Sequence, residues 1–232
     1  MNKTPRVLGI LGGLGPMASV YFYELLTKHT KAARDQDHID VIINSRATTP
    51  DRTAYILGQS TENPFDIMEA DAHRLVTFGA EVLAIPCNTA HYFYDKLEQT
   101  AGVPILNMVE QTVLHVKQRG VKKPALLATT GTVAAKTYQR MFEKHGMAFA
   151  VPDEKHQNMV MQLIYGDIKQ GKRADMAVFE AVARAGLRRR HSWLHRAFAH
   201  QARRAPRRVF YRFHGGALPL RHRDVRQNAH WL

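Results

Sequence analysis

"RVLGILGGLGPMAS" (residues 6–19) decides the fold. A short apolar run enters a turn of glycines, and Pro16 follows where the first turn of a helix accepts it, which gives the order strand, tight loop, helix. The same order recurs downstream. The apolar runs "DVIIN" (40–44), "EVLAIP" (81–86), "VPILN" (103–107) and "PALLAT" (124–129) read as further strands. Helices are predicted between and after them at about 16–31, 64–78, 91–101, 108–119, 132–145, 155–170 and 173–185. Within 64–78, Phe65, Ile67, Met68, Ala72, Leu75 and Val76 recur at near-helical spacing, so one face packs on a sheet. An α/β fold with mainly parallel sheets flanked by helices is expected. In such sheets ligands bind at the carboxyl ends of the strands, which directs attention to the strand-to-helix loops.

The chain has 232 residues, enough for one substantial core or two modest ones. Its formal charge of +13 is unevenly placed. From Leu187 to Leu232 there are twelve arginines, no lysine and one acid, Asp224, a balance of +11; the rest, with 21 basic and 19 acidic residues, carries +2. A single cysteine, Cys87, excludes an internal disulfide, and no Cys/His group has zinc-site spacing. The start, "MNKTPRVLGILGG", has no signal-peptide pattern and no apolar run is long enough for a membrane span. A soluble, cytoplasmic protein without membrane or metal partners is expected.

Three loops carry the chemistry. The first, "GILGGLGPMAS" (9–19), lets a backbone approach a ligand closely at Gly13 and matches a short dinucleotide fingerprint. Arg46, after the second strand, keeps an NADP-binding oxidoreductase open as an alternative. A glycine turn with no ligand is the plainer reading. The second, "AIPCNTAH" (84–91), places Cys87 between a strand end and a helix start, where dipole and amides favour a thiolate, with Asn88 and Thr89 as neighbouring donors. A lone cysteine also serves as a small buried hydrophobe. The third, "LLATTGTV", sets Thr129, Thr130, Gly131 and Thr132 at the equivalent point one unit later. Arg52 in "TTPDRTAYIL" and Lys169 in "IYGDIKQGK" are either solvated charges or cations for a dicarboxylate.

Taken in order, "GILGGLGP", "PDRT", "PCNTAH", "LLATTGT" and "IYGDIKQGK" resemble the aspartate/glutamate racemases that work without pyridoxal phosphate, and the first with "PCNTAH" is similar to the aspartate branch. The resemblance covers residues 6 to about 185. It implies two similar lobes around a cleft, a homodimer, no cofactor, and a small acidic amino acid as substrate. It also implies two cysteines acting on opposite faces of Cα, one from each lobe. Carried over by motif, Cys87 is the first acid/base, Asn88, Thr89, Thr130 and Thr132 bind the α-carboxylate and amine, Arg52 and Lys169 meet the carboxylates, and Gly13 lines the site. The lobes are expected at 1–103 and, incomplete, at 104–186, with 187–232 an aberrant segment.

The departure lies in that segment. The family's second cysteine belongs to a Gly-Cys-Thr-Glu loop, and here the corresponding stretch is "RRRHSWLHRA" (188–197). Back-translated and read one nucleotide later, its codons are compatible with Asp-Ala-Val-Ile-Pro-Gly-Cys-Thr-Glu, the glycine being forced. Those of Tyr211 to His214 are likewise compatible with Asp-Ser-Thr. A change of frame near 185–187 is therefore expected, with racemisation absent or impaired and poor solubility of the chain as written. The rival is a nucleic-acid-binding tail with Trp193, Phe198, Phe210 and Tyr211 as stacking residues. That reading is disfavoured because a basic arm normally sits on a fold complete without it. His195 or His200 as a substitute acid has no motif behind it.

Overall fold

A computed structural model describes residues 7–170, 172–187 and 192–194. The chain divides into two compact units, the first ending at Met108 and the second beginning at Val109. The sequence reading opens its second lobe at 104, and the strand there belongs to the first unit's sheet.

In the first unit, β1 (Leu8–Gly12), β2 (Val41–Ser45), β3 (Val82–Ala84) and β4 (Ile105–Leu106) form one parallel sheet in the order β2-β1-β3-β4. Register runs from Leu8 opposite Val41 and Val82 to Gly12 opposite Ser45. Side chains alternate across β1 and β3, and both faces are buried. Leu8, Ile10, Val82 and Ala84 pack with Leu26 of α1 (Pro16–His29). Leu11, Leu83 and Ile85 pack with Met68, Ala72 and Leu75 of α3 (Pro64–Thr77) and with Leu97 of α4 (Tyr94–Thr100). Of the residues read at helical spacing over 64–78, Phe65, Met68, Ala72, Leu75 and Val76 belong to this cluster, and Ile67 is not among them. Gly9 allows the approach, since a Cβ there would lie 2.5 Å from Leu83 Cδ2 and 2.8 Å from Ala80 Cβ.

The second unit centres on β5 (Pro124–Leu126), covered on both faces. Leu126 and Ala128 meet Val109, Val113 and Val116 of α5 (Met108–Gln118) and Tyr138 and Phe142 of α7 (Thr137–Lys144). Ala125 and Leu127 meet Val160 of α8 (Glu154–Met161) and Phe179 and Val182 of α9 (Met176–Leu187). β6 (Ser192–Leu194) pairs in parallel with β5, Ala125 opposite Trp193. The helix read over 132–145 is broken: α6 (Thr130–Ala134) stops and α7 begins after Lys136, whose φ of 55° ends the helical path. The helix read over 155–170 changes pitch, passing from α8 into a π-helical stretch Gln162–Asp167 and a 3-10 turn Ile168–Gln170. Between β2 and α3, α2 (Arg52–Ile56) is an additional short helix, capped by the Asp51 carboxylate on the Ala54 amide.

Candidate active site

In the first unit the loops after β1, β2 and β3 leave the sheet at its carboxyl edge, as parallel topology requires. The first two are joined by a guanidinium. Arg52, 8 % exposed, donates through its two terminal nitrogens to the carbonyls of Thr49 (3.0 Å), Pro50 (2.8 Å) and Leu14 (2.7 Å). Its Nε is buried with no hydrogen-bond partner. Among the described residues no carboxylate is paired with it, and three backbone carbonyl dipoles carry the compensation.

Gly13 serves the loop's own packing. Its φ is +81°, and a Cβ there would stand 2.3–2.5 Å from three backbone atoms of Arg46. Its amide donates to Ser19 Oγ at 2.9 Å. Arg46 is occupied as well: its fork meets the Asp71 carboxylate at 2.7 and 2.9 Å, and Arg74 donates to the same carboxylate at 2.6 Å. Burial pushes the Asp71 carboxyl up, but bonds from Arg46, Asn44 and Arg74 outweigh it and hold the group below the ordinary carboxylate range. With the Gly13 amide and the Arg46 fork both engaged, the NADP reading loses the contacts it relied on.

Cys87 follows β3 after Ile85 and Pro86, half-buried and unpaired, and packs against the cluster that contains Leu14. Its amide donates to Ile85 O at 2.7 Å, and its carbonyl lies 2.8 Å from His91 Nδ1. The chain beyond it begins as a 3-10 turn, Thr89–Phe93, before α4. Asn88 stands at the head of that turn and Thr89 is buried. His91, 4 % exposed, also accepts the Met108 N–H on Nε2 at 3.2 Å. His91 closes the motif "PCNTAH" and was not expected to have a role; its place four residues after Cys87 is the signal in the sequence that marks it.

In the second unit the loop after β5 is built around Thr129, whose hydroxyl accepts the Thr132 amide at 3.1 Å and lies 3.0 Å from the Thr132 hydroxyl. Thr132 is fully buried, so its side chain shapes the loop from behind. Thr130 is half-buried, and its amide donates to Met161 Sδ at 3.2 Å. Gln157 Nε2 holds Ala128 O at 2.9 Å. Lys169 is exposed, with Nζ 3.7 Å from the centroid of the Tyr165 ring, a cation–π contact. Gly13, Arg52, Cys87, Asn88 and Thr89 therefore share the first unit's loops, while Thr130, Thr132 and Lys169 belong to the second. Among the described residues no group of three or more His, Cys, Asp or Glu could hold a metal, and no helix is long and apolar enough to cross a membrane. Trp193 lies in β6; His195, Phe198, His200, Phe210 and Tyr211 lie outside the described residues.

The sequence profile of the Asp/Glu/hydantoin racemases matches residues 11–190. A broad specificity amino-acid racemase of Bacillus subtilis is 29 % identical over 168 residues, covering 68 % of this chain and 69 % of the relative. A Picrophilus torridus aspartate racemase is 29 % identical with a TM-score of 0.70, over 79 % of this chain and 77 % of that one. An aspartate racemase homologue from Pyrococcus horikoshii, 18 % identical with a TM-score of 0.71, shares the fold over 98 % of this chain and all of its own.

Proposed function

Since this chain belongs to the Asp/Glu/hydantoin racemase family and is an amino-acid racemase by lineage, we propose that it acts on aspartate or a related acidic amino acid by proton transfer at Cα through Cys87. The observation that supports this most is the half-buried Cys87 thiol in the loop after β3, at the edge where buried Arg52 holds the two preceding loops together. A thiolate there takes the Cα proton, the C–H electron pair passes into the α-carboxylate as an enolate, and the same S–H returns a proton to the same face. Arg52 and Lys169 attract the substrate's carboxylates, and Asn88, Thr89 and Thr130 bind its α-carboxylate and amine. Gly13 and Thr132 shape the loops that present these groups.

Inversion needs a second acid on the opposite face. The chain has one cysteine, so it exchanges the α-proton of one enantiomer and interconverts the two poorly or not at all. The reaction requires no cofactor on this reading. A homodimer is the form proposed for the folded chain, and the arginine-rich end is proposed to be a reading in the wrong frame rather than a nucleic-acid arm.

The test is solvent deuterium incorporation into L- and D-aspartate, read by mass spectrometry. Uptake into one enantiomer, lowered about 100-fold or more by Cys87→Ser, is expected. Uptake into neither, or into both with full interconversion, refutes the single-cysteine reading.

A further inference from the structure

The ring of His91 is held on three sides by neutral groups of its own unit. A carbonyl carries no proton, so Nδ1 is the donor in the 2.8 Å contact with Cys87 O. The Met108 amide donates to Nε2 at 3.2 Å, so Nε2 carries the lone pair. These two backbone partners select the neutral tautomer protonated on Nδ1. The ring stacks on Tyr94 at 6.0 Å and 4°, and the Tyr94 hydroxyl lies between two acceptors, the Glu98 carboxylate at 2.5 Å and Ile105 O at 3.0 Å, which share its single proton. His91 is thereby fixed in plane and at both edges, and its one lone pair is committed to Met108 rather than to the thiol.

At the other end of the contact, Cys87 has little freedom left. Its amide is bound to Ile85 O at 2.7 Å and its carbonyl to His91, while the His91 amide returns to Asn88 O at 3.1 Å. The peptide planes on either side of the Cα that bears the thiol are both held, so Sγ can move only by rotating about its own χ1.

We infer that His91 is the positioning residue for Cys87: it acts through the Cys87 carbonyl to aim the thiol, and it takes no proton from it. This rests on the racemase reading of Cys87 above. Misplacing a reacting group by about 1 Å costs on the order of 100-fold in rate, which sets the scale of the effect.

The two contacts of His91 can be separated. In His91→Asn the side-chain amide stands near the former Nδ1 and still donates to Cys87 O; in His91→Gln the longer side chain places its oxygen near the former Nε2, keeping Met108 and releasing Cys87. Because the full chain has one cysteine, iodoacetamide alkylation followed against pH reports that thiol alone. Urea midpoints are recorded for the same variants, and deuterium exchange into aspartate is measured separately. His91→Gln is expected to lower the exchange kcat about 10- to 100-fold at nearly unchanged KM and to displace the alkylation profile. His91→Asn is expected to restore both to within about fivefold of the parent, although its urea midpoint falls as far.

Loss of exchange in both variants in proportion to their stability overturns the inference, as does a parental alkylation profile in His91→Gln. A parent without any exchange, combined with a displaced profile in His91→Gln, removes the racemase reading and leaves the positioning role standing. Parental exchange in His91→Gln removes the positioning role and leaves the racemase reading.

Discussion

Replacing Gly13 by alanine separates two explanations of the glycine-rich loop. If the glycines serve only a ligand's approach, a methyl group there leaves the free protein's stability unchanged. The structure says otherwise. A residue with a side chain at φ +81° is strained by about 1–2 kcal/mol. The added Cβ would meet Arg46 C at 2.3 Å, N at 2.4 Å and O at 2.5 Å, all backbone atoms that cannot rotate aside. Relief requires moving the end of β1 away from the chain leaving β2, which weakens the Arg46 amide's bond to Gly12 O and the Gly13 amide's bond to Ser19 Oγ. Overpacking of this kind costs about 1–3 kcal/mol, so the sum is about 2–5 kcal/mol. For a chain of this size that is a fall of roughly 10 °C in Tm. Gly15→Ala is the control: φ is −162° and nothing lies within 4 Å of its Cβ, so a change of less than about 1 kcal/mol is expected. Urea and thermal denaturation followed by circular dichroism measure both. Equal effects for the two variants, or a Gly13→Ala protein within about 1 kcal/mol of the parent, would refute the reasoning.

Asp71→Asn removes the charge between Arg46 and Arg74 while keeping the shape; because both guanidiniums remain partly solvated, a loss of about 2–4 kcal/mol is expected in the same denaturation assay. Acid should also destabilise the fold. Burial, and then Arg119, push the His115 imidazole below its ordinary 6.5, so its contribution is complete above that value and is lost as pH falls below it. The depressed carboxyls of Asp71 and Glu110, the latter raised by burial but lowered further by Lys144 and His145, withdraw their contributions below their ordinary values of 3.8 and 4.5. Urea midpoints should therefore be flat at about pH 7–8, lower at about 5 and fall most steeply below about 4; a midpoint that rises on acidification contradicts the assignment. Finally, DNA across residues 180–200 should show a frame encoding Gly-Cys-Thr-Glu, and the protein made from that frame should interconvert L- and D-aspartate. An unbroken frame for the arginine-rich stretch, or a corrected protein without interconversion, counts against it.

The layered fold was legible because buried parallel strands are short apolar runs and the helices between them carry a one-sided pattern. The run 6–11 became β1, and 64–78 became α3 with the anticipated face inward. The short helix α2 escaped because five residues are too few to show periodicity, although Asp51 ahead of it is a capping residue. The break at Lys136 and the π-helical stretch through Gly166 are backbone events with no period of their own.

At the site, the carboxyl-edge rule placed Cys87, Asn88 and Thr89 on a loop. Which partner takes a given donor was not legible, because tertiary neighbours decide it. Ser19 claims the Gly13 amide, Asp71 claims Arg46 across 25 positions, and Thr129 claims the Thr132 hydroxyl. The same holds for Arg52, whose bond to Leu14 O reaches back 38 positions to another loop.

The pairing of Ser192–Leu194 with Pro124–Leu126 has a wider meaning for how such a protein tolerates change. A ladder is made by main-chain groups, and those are the same for every residue but proline. An edge position beside an established strand is a generic vacancy, filled here by Ser192, Trp193 and Leu194. A loop that moves protons offers no such tolerance, since its worth lies in one sulfur at one point. Architecture of this kind persists through changes of sequence that a catalytic loop does not survive.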